Sequence, residues 1–266
     1  MKITLIYLII NTLLILGCSR DVEPLPRDSR IIVLLYHRIV EGEPNNLYER
    51  SVTDFESDLR YLIYNNIEVI SFEDLKSVLS SGKMPDRNAA IITFDDGDRS
   101  WFNLVRPIIL KYNMKATFFL WTSMIGKDSF LSWKDVTNMS YYMLPDGVRP
   151  FTFGSHSFSH QYLLEKKSSF KNEDEYNLFL DYEMRESKSI IEMYIPFPVT
   201  NLALPFGDGH GDPGIILAAQ RNGYDFIRTS YINSIKSCND LSLFNIPALP
   251  VLDKTSQEEI GYYLGI

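Results

Sequence analysis

Thr93-Phe94-Asp95-Asp96-Gly97 closes an apolar run that begins at Ala89, and further along the chain reads His156-Ser157-Phe158-Ser159-His160. The run from Ala89 to Phe94 has the length and composition of a buried strand, so the two carboxylates are expected to emerge at its C-terminal end beside a turn-forming glycine. Strand ends of this kind are where α/β enzymes place their chemistry. The second stretch puts two of the chain's four histidines four residues apart. In a one-turn helical segment they would face the same side, as in the paired histidines of zinc proteases. Those proteases carry a Glu after the first His, whereas this chain has Ser157 there. A base therefore has to come from elsewhere, and the second carboxylate of the Asp-Asp turn is its natural supplier.

The rest of the chain alternates strands and helices. Ile31 to Tyr36 reads as a strand, and Thr53-Asp54-Phe55-Glu56 as a capping box opening a helix with Phe55, Leu59 and Ile63 on one face. A short helix from Ser71 carries Leu75, Val78 and Leu79, and a helix across Pro107 leads into the strand Ala116 to Leu120. Helices are expected over Trp133 to Met143, Glu173 to Tyr194 and Pro213 to Asn222. Further strands are expected over Phe151 to Gly154, Asn201 to Leu204, Phe226 to Thr229 and Phe244 to Ile246. This alternation predicts an α/β fold with a parallel sheet or barrel. No internal repeat, low-complexity stretch or second domain is visible.

These motifs resemble the polysaccharide deacetylases, carbohydrate esterases with a NodB-type domain. Thr93 to Gly97 matches that family's first motif, His156 to His160 its second, and Leu204-Pro205-Phe206-Gly207 resembles its third. The likeness runs from about Ile31 to Pro250 and implies a distorted (β/α) barrel of about seven parallel strands. It also implies that Asp96, His156 and His160 hold a divalent metal, that Asp95 is the general base, and that Pro205, Phe206 and Gly207 form the substrate and oxyanion turn. Zinc is the expected ion, with cobalt, nickel or iron(II) as alternatives. Two histidines and one carboxylate leave open coordination positions, as a catalytic site requires. Non-haem iron oxygenases share that ligand set but have no use for a second carboxylate beside it.

The chain departs from the common pattern in two places. Many members carry an Arg two residues before the third-motif Pro, where this chain has Ala203, and no histidine follows His210 to serve as the usual C-terminal acid. Deacetylases of biofilm poly-N-acetylglucosamine resemble a permuted version, with the acid in an N-terminal Tyr-His and an Ala-x-Pro-aromatic-Gly third motif. Tyr36-His37 and Ala203-Leu204-Pro205-Phe206-Gly207 match that branch, which makes His37 the expected acid. The resemblance implies removal of acetyl from N-acetylglucosamine units of a polysaccharide outside the cytoplasm. Peptidoglycan is an alternative substrate, and a glycan-binding lipoprotein without turnover is a second alternative favoured by the missing Arg. Without the resemblance, His37 reads first as a core histidine bonded to a backbone carbonyl, and His210 as a loop residue. Phe206 and Trp133 are candidates to stack on sugar rings.

The N-terminus reads as a signal. Lys2 is the one charge in residues 1–17, the apolar run is too short for a good membrane span, and Leu14-Ile15-Leu16-Gly17-Cys18 resembles a bacterial lipobox. The expected organisation is a lipoprotein signal peptide over 1–17, a tether over 18–30 and a catalytic domain over 31–266. A lipid anchor on Cys18 would place the domain in the bacterial envelope, and stable anchoring needs more than one acyl chain. Loss of Lys2 leaves the remainder one charge more acidic than the −8 of the whole chain. Such a balance disfavours nucleic acid as a partner but suits a neutral or cationic glycan. Cys238 would then be the single unlipidated cysteine, so stability has to come from the core.

Overall fold

The computed structural model describes residues 28–266, and the signal, Cys18 and most of the tether lie outside them. The chain enters at β1 (Ile31–Tyr36), then passes through a small parallel ribbon of β2 (Arg38–Val40) and β3 (Glu49–Ser51) into α1 (Val52–Tyr64). β4 (Glu68–Val69), α2 (Phe72–Ser81) and β5 (Ala89–Asp96) follow, then α3 (Arg106–Lys111), β6 (Ala116–Leu120), α4 (Trp133–Ser140) and β7 (Phe151–Ser155). The C-terminal half comprises α5 (Glu173–Glu192), β8 (Asn201–Ala203), α6 (Pro213–Arg221), β9 (Phe226–Arg228), β10 (Leu249–Pro250) and α7 (Gln257–Leu264).

The main sheet runs β10-β1-β5-β6-β7-β8-β9 with every pairing parallel, and β4 adds to the N-terminal half of β5. These seven strands curl towards a barrel. The segment between Leu243 and Val251 spans the remaining gap: Ile246 exchanges hydrogen bonds with Ile227 and Thr229, while the Val251 N–H donates to Leu35 O at 2.8 Å. Strand alternation sorts the core into two layers. Ile31, Val33, Leu35, Ala89 and Ile91 face an inner cluster with Phe72, Leu75 and Phe226, whereas Ile32, Leu34, Tyr36, Ile92 and Phe94 pack outward against the helices. Asp95 continues the inner set of β5, which aims it into the barrel mouth.

Several local expectations are corrected. α1 is capped by Ser51, whose side chain accepts from Asp54 N, so the helix begins before the Thr53 to Glu56 box. Its buried face is Phe55, Leu59 and Leu62, while Ile63 is exposed. The anticipated strand over Phe244 to Ile246 reduces to one bridge at Ile246, and pairing resumes at β10. A one-turn π-helix, Trp101–Val105, precedes α3 and buries Trp101, whose indole N–H donates to His37 O at 2.7 Å. No helix among the described residues is long and apolar enough to cross a membrane.

One buried polar cluster ties the two ends of the domain together. The Arg50 guanidinium forks onto Asp58, at 2.8 Å from Oδ1 and 3.1 Å from Oδ2, and also donates to the carbonyls of Leu252 and Thr255. Tyr36 Oη donates to the same carboxylate at 3.1 Å. Removing one partner leaves an uncompensated buried charge, so Arg50→Met is expected to lower stability by about 3–5 kcal/mol, read from urea unfolding. The double variant Arg50→Met/Asp58→Leu should recover most of that loss, since the stranded carboxylate is gone.

Candidate metal and acid–base site

Asp95 and Asp96 leave β5 on the same side, which a regular strand forbids to consecutive residues. The alternation is broken at Asp96, whose φ is 90°, and Gly97 follows with a φ of 106°. That φ is what calls for glycine, and a Cβ there would also press on the tip of Ile125, 2.5 Å from its Cδ1. Asp95 is 3% exposed and forms a buried ion pair with Arg228 from the end of β9. Arg228 also lies over the Phe119 ring, 5.1 Å from its centroid. Burial pushes the Asp95 pKa up, but Arg228, with smaller contributions from His156 and His37, outweighs it and holds the carboxyl below its ordinary value.

The histidine pair is not on a helical turn, contrary to the expectation from its spacing. Residues 156–160 form a loop in which Ser157 and His160 both adopt left-handed φ values, 59° and 56°. The loop is pinned from below. His160 N–H donates to Ser157 Oγ at 3.0 Å and Ser157 N–H to Ser155 Oγ at 3.1 Å, while Ser159 donates through N–H at 2.8 Å and through its hydroxyl to the buried carboxylate of Glu183 on α5. Ser155, Ser187 and Thr122 continue this support as a buried hydroxyl chain. The rings converge as a result: the two Nε2 atoms lie 3.1 Å apart, and Asp96 Oδ1 is 3.6 Å from His156 Nε2 and 3.5 Å from His160 Nε2.

His156 Nδ1 lies 2.9 Å from Ala203 O, which can only accept, so Nδ1 carries the proton and Nε2 presents a lone pair. Trp121 stacks on His160 at 4.7 Å. Burial, the leading cause for both rings, lowers the pKa of His156 to about 4 and of His160 to about 3, so both are neutral. Burial and then the adjacent Asp95 raise Asp96 to about 7. One ligand atom from each of Asp96, His156 and His160 lies within 4.8 Å of the others. Two neutral imidazoles and a carboxylate whose charge burial disfavours are a donor set that a divalent cation fits.

The third motif forms a turn over Pro205–Gly207 in which Phe206 takes a φ of 58°. A Cβ on Gly207 would fall 2.0 Å from Ser230 Oγ, and that hydroxyl donates to Phe206 O at 3.3 Å. Pro205 is buried under the turn, while Phe206 is 53% exposed and stacks on Tyr162 with centroids 4.0 Å apart. A cavity of about 560 Å³ gathers Asp95, Asp96, His156, His160, Phe206 and Gly207, and His37 and Arg228 line it too. His37 is half-buried, rests against the edge of Tyr48, and its Nδ1 has no hydrogen-bond partner. Burial is the main cause that lowers its pKa, with Asp95 opposing.

Two readings change. Ala203 carries no guanidinium, yet the site does not lack one, because Arg228 sits opposite Ala203 in the β8–β9 register. The sequence held one signal of it, a charged residue inside the strand-like Phe226-Ile227-Arg228-Thr229. Glu183 and Ser230 were not foreseen, and no local pattern marks them. Trp133 packs on Tyr194 and His210 on Tyr231, and neither Trp133 nor His210 lines the cavity.

The profile described as polysaccharide deacetylase matches residues 82–227, more than half of the chain. YxkH of Bacillus subtilis is 24% identical over 198 residues, covering 74% of this chain and 63% of that protein, so the chain spans just under two thirds of that relative. A poly-beta-1,6-N-acetyl-D-glucosamine N-deacetylase of Staphylococcus epidermidis is 27% identical over 213 residues, covering 73% of this chain and 70% of that one. Among solved structures, the Streptococcus pyogenes deacetylase PplD superposes with a TM-score of 0.74 at 21% identity, over 89% of this chain and 99% of that one. IcaB from Ammonifex degensii gives 0.73 at 17% identity, over 90% and 98%. The fold is thus the distorted (β/α) barrel of NodB-like proteins, and the chain belongs to the polysaccharide deacetylase family.

Proposed function

We propose that the protein is a metal-dependent deacetylase that hydrolyses the acetamido group of N-acetylglucosamine units in a polysaccharide outside the cytoplasm, poly-N-acetylglucosamine being the favoured class. The observation that carries this reading is the meeting, in one cavity, of an ionised carboxylate paired to Arg228, a convergent Asp-His-His set and a histidine with a free ring nitrogen. The Staphylococcus epidermidis relative supports the choice of glycan, as does the exposed Phe206–Tyr162 stack beside the cavity, a surface of the kind sugar rings pack on. A lipid anchor at Cys18 is part of the proposal and rests on the lipobox alone. The alternative of a glycan-binding protein without turnover loses its main support with Arg228 in place, and peptidoglycan stays as the second substrate to test.

Asp96, His156 and His160 would hold the cation, with zinc the first choice and cobalt, nickel or iron(II) as alternatives. When bound, the ion supplies a Lewis acid that polarises the acetamido carbonyl. Asp95 accepts the proton of the attacking water on its carboxylate. Its lowered pKa makes it a weak base, but one that is fully ionised and fixed in direction by Arg228. The Phe206 N–H is the proposed donor to the developing oxyanion, from a turn whose left-handed φ is locked by Gly207 and Ser230. His37 delivers a proton to the leaving amine. Burial makes its imidazolium a stronger acid than a free one and correspondingly less populated near neutral pH, so the proton it gives up is taken up again from solvent in each cycle.

Metal uptake should depend on pH through Asp96. Below a pKa of about 7 this carboxyl carries a proton that the cation must displace, so affinity should rise by about tenfold per pH unit up to roughly pH 7 and level off above it. The histidines, already neutral, add no step in that range. Calorimetry of zinc binding in buffers of different ionisation enthalpy should show about one proton released at pH 6. A pH-independent affinity, or an Asp96→Asn variant that binds zinc normally, would show that the ligand is misassigned.

Asp95→Asn should retain metal while turnover falls by about 10²–10⁴, the usual share of a positioned base. Equal loss of metal in Asp95→Asn and Asp96→Asn, measured by elemental analysis, contradicts the division of labour between them. His37→Ala should keep fold and metal and lose most acetate release from glycan. It should keep much more activity on an activated aryl acetate, whose leaving group needs no proton. Equal losses on the two substrates would assign His37 another role.

A further inference from the structure

The cavity around the candidate site does not end at the carboxylates. A smaller hollow of about 170 Å³ shares His37, Tyr48, Asp95 and Asp96 with it and is completed by Arg38, Glu49, Asp98 and Phe130. Arg38, Glu49 and Asp98 also line a third cavity of about 650 Å³. The three hollows are neighbours through these shared residues, the first carrying the Phe206–Tyr162 stack and the other two the Arg38, Glu49 and Asp98 group.

Arg38 dominates that group, which forms a charged lobe. Its side chain is 54% exposed, yet its guanidinium is held in place, Nη1 lying 3.2 Å from Glu49 Oε1 and Nε 3.6 Å from Asp98 Oδ2. Both carboxylates are themselves fixed. Glu49 is buried, pairs with Arg38 in the β2–β3 register and accepts from Asn45 N at 2.7 Å, while Asp98 accepts from Ser100 N at 2.8 Å. A guanidinium has five N–H donors in a rigid fork, so several remain for a ligand after these two contacts. A long side chain this well aimed loses little further freedom on binding.

We infer that this lobe is a subsite for the sugar unit next to the one being deacetylated, with Arg38 donating to its hydroxyl or acetamido oxygens and Asp98 accepting from a hydroxyl. The inference rests on the deacetylase reading above. The occupant is a chain of β-linked N-acetylhexosamine, because the hollow beside the carboxylates offers both donors and acceptors and the cavity it adjoins carries an exposed aromatic stack. A polymer lying over the reacting position would meet polar recognition at Arg38 and stacking at Phe206 and Tyr162, and the single-unit substrate tests whether Arg38 acts beyond the reacting sugar.

The test compares Arg38→Ala and Arg38→Lys with the wild type, using β-1,6-linked N-acetylglucosamine oligomers of one and five units and an aryl acetate. Loss of a hydrogen bond from a charged donor should raise KM for the five-unit oligomer by about ten-fold or more. Activity on the single unit and the aryl acetate and the zinc content should be unchanged, while the urea midpoint falls in Arg38→Ala, where the buried Glu49 carboxylate loses its cation, and is largely kept in Arg38→Lys. Arg38→Lys should recover part of the affinity, because it keeps the charge and loses the fork. An unchanged KM for the long oligomer, or equal losses on every substrate, overturns the subsite. If the wild type releases no acetate from any oligomer, the deacetylase reading fails separately. Calorimetric titration of the five-unit oligomer then decides the subsite, and equal or absent binding in wild type and Arg38→Ala refutes it.

Discussion

The buried ion pair between Asp95 and Arg228 is the interaction on which the site depends. A carboxylate at the barrel mouth, closed off from water, is destabilised by several kcal/mol unless a cation compensates it. Asp95 and Arg228 come from β5 and β9, separated in the sheet by β6, β7 and β8. Their pairing is therefore possible only across the interior of a curled sheet. The charge pair and the barrel curvature support one another. A flat sheet would leave two unpaired buried charges, and a barrel without Arg228 would remove the main charge that offsets the burial of Asp95.

That pair also separates the behaviour of two adjacent carboxylates. Asp95 sits with the guanidinium and stays below the ordinary carboxyl range, whereas Asp96 has burial and the Asp95 charge against it and is raised to about 7. Two like residues in sequence thus acquire opposite tendencies from position alone. One is a carboxylate held in its ionised form by Arg228, and the other is a group whose charge invites a cation. The two imidazoles reinforce this second tendency, since burial keeps both neutral and the Ala203 carbonyl fixes the tautomer of His156.

The fold was largely legible because β1, β5 and β6 are near-continuous apolar runs, the signature of strands buried on both faces. The errors fell where short segments are decided by tertiary contacts. Ile63 and Leu62 are interchangeable to a periodicity argument, and only packing against the barrel chooses Leu62. The histidine spacing suggested a helical turn, but the same convergence is produced by two left-handed residues held by Ser155, Ser157 and Glu183, and spacing alone cannot distinguish the two. Asp95, Asp96, His156 and His160 were legible as a group because catalytic motifs are local. Arg228 was not, because a lone charge inside a strand-like run does not name a partner 133 positions away.

With His37 as the proposed acid, both departures from the common family pattern amount to a shift to a neighbouring strand. β1 pairs with β5 so that Tyr36 lies opposite Phe94, and His37 therefore leaves the sheet beside Asp95. On its other side β1 pairs with β10, where Leu35 lies opposite Pro250. An acid supplied from the C-terminal segment and one supplied by His37 would thus arrive at neighbouring points of the same rim. The guanidinium follows the same logic, since Arg228 on β9 is the register partner of Ala203 on β8. Parallel strands around a barrel all end at one mouth, so a functional group can move to the adjacent strand and still reach the same few ångströms of space. The geometry at the mouth constrains which chemical groups meet there much more tightly than it constrains which strand delivers each of them.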